Sequence, residues 1–266
     1  MRNQIKEFDG EPLDLTKIIN WIKSLELETS LKEKVIVILG ATATGKSNLA
    51  VELAQIFGTE IISADSMSVY KNFDVGTAKP SEIDRVKVKH HLIDVLDSDE
   101  KFSVAEFVRQ AEPIVTEINL RKKIPIIAGG TGLYIQALLE GYKFSDKDGV
   151  KSQAKFFLET GELKYNALVI GLTMPREKLY MKIDERTEKM FAAGLLDEVQ
   201  NFLNQGVNPN SPAMSGIGYK EVVEYIQGKI SLNEAISKVK QATRNFAKRQ
   251  LTWYRRMKYI HWFNVA

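Results

Sequence analysis

The sequence predicts an α/β fold, a parallel sheet flanked by helices, and three observations carry that prediction. First, the apolar, β-branched run of residues 35–39 enters Gly40-Ala41-Thr42-Ala43-Thr44-Gly45-Lys46-Ser47 and continues into a helix-like stretch, residues 48–54. Second, another apolar run, residues 124–128, enters the turn Gly129-Gly130-Thr131-Gly132 and is again followed by a helix-like stretch, residues 133–139. Third, further short apolar runs at residues 61–64 and 167–172 alternate with helical patterns, the arrangement of βαβ units. Strand, glycine-rich loop and helix form the setting that makes the first motif a P-loop. The expected class is therefore a P-loop NTPase-like parallel sheet with a helical C-terminal part.

Residues 1–33 are expected to be an N-terminal helical extension. Leu15, Ile18, Ile19, Ile22 and Leu25 recur at helical spacing with Trp21 beside them, which predicts a helix packed on the core. Residues 34–141 make the first part of the core. In the P-loop, the glycines let backbone N–H groups curl around a phosphate, and the following helix N-terminus favours negative charge. Lys46 supplies a cation for the distal phosphate, and the Ser47 hydroxyl is placed to ligate Mg²⁺.

Residues 61–64 predict a short buried strand with Asp65 at its carboxyl end, where ligands sit in doubly wound sheets. A turn or capping aspartate would occupy the same place. Residues 67–80 read as a loop. Residues 90–95 predict another strand, whose paired His90 and His91 lack a third metal ligand at sensible spacing. Ser103-Val104-Ala105-Glu106 has a capping-box pattern and should open a helix reaching about Arg121.

Residues 142–164 are polar and irregular, with a helix expected over 151–158. Residues 165–266 complete the core and end in basic helices. Pro175 opens a long helix with Leu179, Ile183 and Met190 inward and a row of Arg176, Lys182 and Arg186 on another side. Ser215-Gly216-Ile217-Gly218-Tyr219-Lys220 reads as a flexible turn leading to a helix. In the last helix Lys240, Arg244 and Lys248 share a face, and Val239, Ala242, Phe246 and Trp253 form the expected apolar stripe.

The net charge of +3 conceals an asymmetry. No acidic residue follows Glu234, while Lys238, Lys240, Arg244, Lys248, Arg249, Arg255, Arg256 and Lys258 crowd the tail; without those eight cations the chain stands at 3 − 8 = −5. Such a segment on an acidic body points to a polyanionic partner. The absence of cysteine excludes disulfides, Cys-based zinc sites and thiol catalysis. With no signal peptide and no apolar run near the ~20 residues that span a bilayer, the expectation is a soluble, cytoplasmic protein without membrane contact.

Seven blocks in order resemble one family. They are residues 40–47, Ser63-Ala64-Asp65-Ser66-Met67-Ser68-Val69-Tyr70, Asp74-Val75-Gly76-Thr77-Ala78-Lys79-Pro80, residues 90–94, residues 129–135, residues 216–221 and Lys248-Arg249-Gln250-Leu251-Thr252-Trp253-Tyr254-Arg255. The chain from Val35 onward resembles the tRNA dimethylallyltransferases. The resemblance implies transfer of a dimethylallyl group from dimethylallyl diphosphate to N6 of the adenine 3′-adjacent to the anticodon.

On that resemblance the P-loop holds the donor's diphosphate with Mg²⁺ on Ser47. Arg186 joins Lys46 on the leaving group, Asp65 is the general base, and Thr131 orients the reacting groups. Asp65, Ser66, Met67 and Ser68 read a flipped adenine. The basic tail (Lys248, Arg249, Gln250, Leu251, Thr252, Trp253, Tyr254 and Arg255) and residues 215–220 grip the anticodon stem-loop. The expected enzyme is a monomer.

Two departures from the family pattern stand out. A sizeable helical insertion is reduced to residues 142–164, and Lys182 occupies a place where relatives often carry arginine. The alternatives left open by the residues are a P-loop small-molecule kinase, an RNA-binding relative with little activity, and a prenyltransferase acting on free adenylate.

Overall fold

The computed structural model describes residues 10–144 and 155–266. The described residues begin with a two-residue strand, β1 (Glu11–Pro12), and the expected helix α1 (Leu15–Leu27), capped by the Asp14 carboxylate on the Lys17 N–H. The core then runs through β2 (Lys34–Gly40), α2 (Lys46–Ile56), β3 (Ile61–Ser63), α3 (Glu82–Lys87) and β4 (His90–His91). It continues with α4 (Val104–Leu120), β5 (Ile126–Gly129) and α5 (Gly132–Leu139). After α6 (Lys155–Thr160) come β6 (Asn166–Thr173), α7 (Arg176–Ala192), α8 (Leu195–Asn204), a 3₁₀ turn (Ala213–Ser215), α9 (Tyr219–Ile226), α10 (Leu232–Tyr254) and β7 (His261–Asn264).

Among the described residues all seven strands are parallel, in the order β1-β7-β6-β2-β5-β3-β4. A parallel sheet is covered on both faces, so its central strands are continuous apolar runs. β2 shows the consequence. Val35, Val37 and Leu39 point into one cluster with Phe107, Val115, Ile135 and Tyr254; Ile36 and Ile38 point into the other with Ile18, Ile22, Leu49 and Leu53. Side chains alternate across a strand, and here both faces find helices. A third cluster, around Phe73, Phe202 and Tyr219, packs α8 and α9 against the loop after β3.

The fold class is as the sequence predicts, with several differences in detail. Residues 10–33 are woven into the sheet, since β1 pairs with β7 and α1 packs on the sheet itself. The strand expected over 90–95 stops at His91, and Leu92 and Asp94 take positive φ beyond it. The expected flexible turn at 215–220 is a 3₁₀ turn running into α9, where the buried Glu221 carboxylate accepts from the N–H of the N-cap residue Gly218. Of the helix expected over 151–158, residues 155–158 belong to α6; residues 151–154 lie outside the described residues.

The edge of the sheet opposite the P-loop is pinned by Glu60. Its carboxylate bonds the Arg121 guanidinium, stands 2.6 Å from His91 Nε2 and pairs with Lys89. The Arg121 bond holds Glu60 down at about 2, with help from His91 and Lys89 and against its partial burial. A depressed carboxylate contributes stability above its unfolded pKa, near 4.5, that is lost as pH falls through the folded value. The melting-temperature gap between wild type and Glu60→Gln should therefore shrink as pH drops from 5 towards 2. A gap independent of pH would contradict the assignment.

Candidate active site

Three neighbouring strands, β2, β5 and β3, deliver three loops to one edge of the sheet. β2 ends in the P-loop, β5 in Gly129 to Gly132, and β3 in Ala64 and Asp65. The loops are close-fitted. A Cβ on Gly129 would stand 2.2 Å from the Ala64 carbonyl oxygen, so only glycine allows that approach. In the P-loop, Ala43 and Gly45 take positive φ (66° and 87°), which curls the loop. Thr44 Oγ1 donates to the Ala41 carbonyl at 2.8 Å and braces it from within.

A narrow cavity of about 90 Å³ opens where the loops meet, lined by Thr42, Lys46, Ser47, Asp65, Ser68, Gly130, Arg186 and Gln250 among others. Lys46, Ser47 and Arg186 also line an outer cleft of about 940 Å³, which Lys182 and Lys189 border. Lys46 Nζ donates to the Ala41 carbonyl at 2.8 Å. Burial, reinforced by the nearby Arg186 charge and opposed by Asp65, pulls the Lys46 ammonium down to about 7. Burial also pulls Arg186 downward, again against Asp65. Two cations crowded in a poorly solvated recess are a site for a multiply charged anion, whose binding relieves both burial and repulsion.

Asp65 Oδ1 accepts from the Met67 N–H at 2.8 Å and the Ser68 N–H at 3.4 Å, so the carboxylate is fixed at the rim of this recess. Thr131 stands behind that segment rather than on the cavity wall. Its Oγ1 accepts from the Ser66 N–H at 3.0 Å, and its backbone N–H donates to the Ala64 carbonyl at 3.0 Å. Thr131 thereby locks the β5 turn to the loop carrying Asp65, with its own hydroxyl proton still to give. Arg186 reaches over from α7 and donates to the Thr77 carbonyl at 3.4 Å. Arg176, in the same expected row, instead lies over the Tyr180 ring and does not line the cavity.

The residues expected to grip RNA divide in two. Ser215, Lys220, Lys248, Arg249 and Thr252 are exposed; Ile217, Leu251, Trp253 and Arg255 are half-buried. Gly216, Gly218, Tyr219, Gln250 and Tyr254 are buried. Tyr219 donates at 2.6 Å to Glu198, whose carboxylate also accepts from the N–H groups of Asp74, Val75 and Gly76. This carboxylate fills a cup of three successive amides and sets the loop that presents Thr77 to Arg186.

The tail is also less bare than its sequence implies. Lys238 pairs with Glu224 at 2.7 Å, Lys240 with Glu188 at 2.6 Å, and Arg244 forks onto Asp184. Of the expected stripe, Val239 is buried and Ala242, Phe246 and Trp253 are half-buried; Ala235, Ala247, Gln250 and Tyr254 complete the buried side of α10. The sequence does not single out Glu198, gives Lys79 no role of its own, and places Gln250 in the RNA-gripping tail, whereas its amide bonds the Thr42 N–H and the Gly130 carbonyl. Lys79 is almost fully buried and donates to Asp74, Asp94 and the Tyr70 carbonyl. Its place in a Gly-Thr-Ala-Lys-Pro block was the signal available.

Comparison with known proteins gives this geometry its family. The IPP transferase profile matches residues 68–160 and 148–257, and the isopentenyl transferase profile matches residues 33–97. A tRNA dimethylallyltransferase of Pelotomaculum thermopropionicum is 38% identical, covering 88% of this chain and 91% of that protein. One from Oenococcus oeni is 43% identical, covering 88% and 90%. The solved full-length tRNA isopentenylpyrophosphate transferase of Bacillus halodurans superposes with a TM-score of 0.79 at 35% identity, covering 88% of this chain and 90% of that one.

The same 88% of 266 residues, about 234, aligns over 287 positions with the Pelotomaculum protein but over only 236 with the Oenococcus one. The Oenococcus protein thus aligns with almost no gaps, and the two IPP transferase profile segments overlap over residues 148–160. Shared sequence, superposable fold and P-loop cavity agree: this chain belongs to the IPP transferase family, that of the tRNA dimethylallyltransferases.

Proposed function

We propose that the chain transfers a dimethylallyl group from dimethylallyl diphosphate to N6 of the adenine 3′-adjacent to the anticodon of tRNA. One observation carries the reading: Lys46, Arg186 and the P-loop share a single cavity with the Asp65 carboxylate. The C1–O bond of the donor breaks as N6 bonds to C1, pyrophosphate leaves, and the N6 proton must find a base. Negative charge grows on the leaving group, where Lys46, Arg186 and the loop amides are already oriented, so they stabilise it without reorganisation.

Ser47, exposed in the first turn of α2 and lining the same cavity, is a hard oxygen donor fitted to hold Mg²⁺ together with diphosphate oxygens. When bound, that ion would supply further neutralisation of the leaving group. Adenine N6 is a poor nucleophile because its lone pair is delocalised. Asp65 accepts its proton, and Thr131 keeps the Asp65 loop in register with the β5 turn. The donor is buried, so the adenine must leave the anticodon stack to reach it and enters flipped, read by residues 65–68. Ser215, Lys220, Lys248, Arg249 and Thr252 form the exposed polar surface available to the anticodon stem-loop. We take the enzyme to act as a cytoplasmic monomer; among the described residues no helix is long and apolar enough to cross a membrane.

The test is a transfer assay with Mg²⁺ and labelled dimethylallyl diphosphate, offering unmodified tRNA or AMP as acceptor, with a parallel incubation of ATP and small acceptors. Label in tRNA at the adenine beside the anticodon supports the reading. Label only in AMP, phosphoryl transfer from ATP, or no transfer at all would each overturn it.

A further inference from the structure

The β2–β5 ladder ends at the pair Leu39 and Gly129. Beyond it the two strands part into the P-loop and the β5 turn, and their backbone groups need other partners. Gln250, from the last turns of α10 and 5% exposed, fills that gap. Its Oε1 accepts from the Thr42 N–H at 2.9 Å, and its Nε2 donates to the Gly130 carbonyl at 2.8 Å. The amide orientation is settled by its partners, since a backbone N–H can only donate and a carbonyl only accept. One turn on, Tyr254 donates to the same Gly130 carbonyl at 3.0 Å. The fit is tight: a Cβ on Gly130 would lie 2.3 Å from Gln250 Nε2.

We propose that Gln250 is a positioning residue, a one-side-chain extension of the sheet ladder that holds the diphosphate loop in register with the turn carrying Thr131. The proposal rests on the prenyl-transfer reading for its catalytic consequence. Gln250 lies on the buried side of the helix whose outer side presents Lys248 and Arg249. The element offered to the polyanionic partner and the element aligning the two reactants are therefore one rigid body. A misalignment of about 1 Å between bound reactants can cost roughly a hundredfold in rate, so a single amide bridging the two loops has large leverage.

Two full-chain variants test this. Gln250→Met keeps the length and loses both hydrogen bonds. Gln250→Glu reproduces both bonds only when protonated, its carbonyl accepting from Thr42 and its O–H donating to Gly130; ionised, it faces the Gly130 carbonyl with no donor. Burial and the Asp65 carboxylate raise the pKa of such a carboxyl, and Lys46 and Arg186, which line the same cavity, lower it.

With turnover measured from pH 5.5 to 8.5, Gln250→Met should lower kcat roughly tenfold to a hundredfold at every pH, with tRNA affinity unchanged. The ratio of Gln250→Glu to wild-type kcat should fall as pH rises. Pyrophosphate affinity, read by calorimetry without turnover, should weaken several-fold in Gln250→Met. A Gln250→Met enzyme with wild-type kcat and pyrophosphate affinity, a Gln250→Glu ratio flat at the wild-type level, or a loss confined to tRNA affinity would each overturn the proposal. If Gln250→Met fails to fold, the pH dependence of Gln250→Glu decides. If wild type transfers no label, the functional reading has failed, and pyrophosphate affinity still decides the positioning role.

Discussion

Replacing Asp65 by asparagine should lower prenyl transfer about 10²–10⁴-fold, the usual contribution of a positioned general base. The asparagine carbonyl can still accept from Met67 and Ser68, the two amides that hold the Asp65 carboxylate, so the loop keeps its shape. Pyrophosphate affinity should therefore stay within a few-fold of wild type, because Lys46, Arg186 and the loop amides are untouched. Single-turnover rates and calorimetric titration read the two effects separately. A variant that turns over like wild type would remove Asp65 from its proposed role. One that loses pyrophosphate binding as well would make Asp65 a structural residue of the loop.

The second large effect belongs to Lys46. Its ammonium sits near pH 7 in the free protein, chiefly through burial and then through Arg186. A bound diphosphate favours the charged form, so above pH 7 binding must take up a proton, and affinity must fall as pH rises. Below that pH the lysine is already charged and the dependence vanishes. Lys46→Met removes the charge and should weaken pyrophosphate binding about 10²–10³-fold, as when one member of a buried charge pair is deleted. The ligand's own ionisation is common to both proteins and cancels in the difference. Wild type should take up more protons than Lys46→Met between pH 7 and 9, measured by calorimetry in buffers of different ionisation heat. Equal uptake would mean that Lys46 is charged before the ligand arrives.

Much of this site was legible because its parts are local. A β-branched run before a glycine loop and a helix after it are consecutive in sequence, and the short run before Asp65 says the same of β3. What stayed hidden are partners far apart in the chain. Gln250 bonds Thr42 across 208 positions, and Glu198 bonds Asp74 across 124. No spacing rule connects such pairs, and a lone Glu on a helix reads as a solvated side.

The basic tail looks barer in sequence than it is in space for the same reason. Its cations have no acids nearby in sequence, yet Glu224, Glu188 and Asp184 meet three of them in space. The buried side of α10 was legible only in part because this helix is packed against α7, α9 and α5, and one of its buried residues is the polar Gln250. A periodicity of apolar residues cannot register a buried amide whose hydrogen bonds are satisfied elsewhere. β1 and β7 escaped because Glu11-Pro12 and His261-Trp262-Phe263-Asn264 lack the β-branched apolar run that marks the equally short β3 and β5.

The account stands on a diphosphate cradle and a carboxylate sharing one recess, and a bound donor tests that directly. A crystal structure with a thio-linked, unreactive analogue of dimethylallyl diphosphate should place its phosphate oxygens against Lys46, Arg186 and the P-loop amides, with C1 turned towards Asp65. Diphosphate bound elsewhere, or in the P-loop with its prenyl carbon turned away from Asp65, would contradict it.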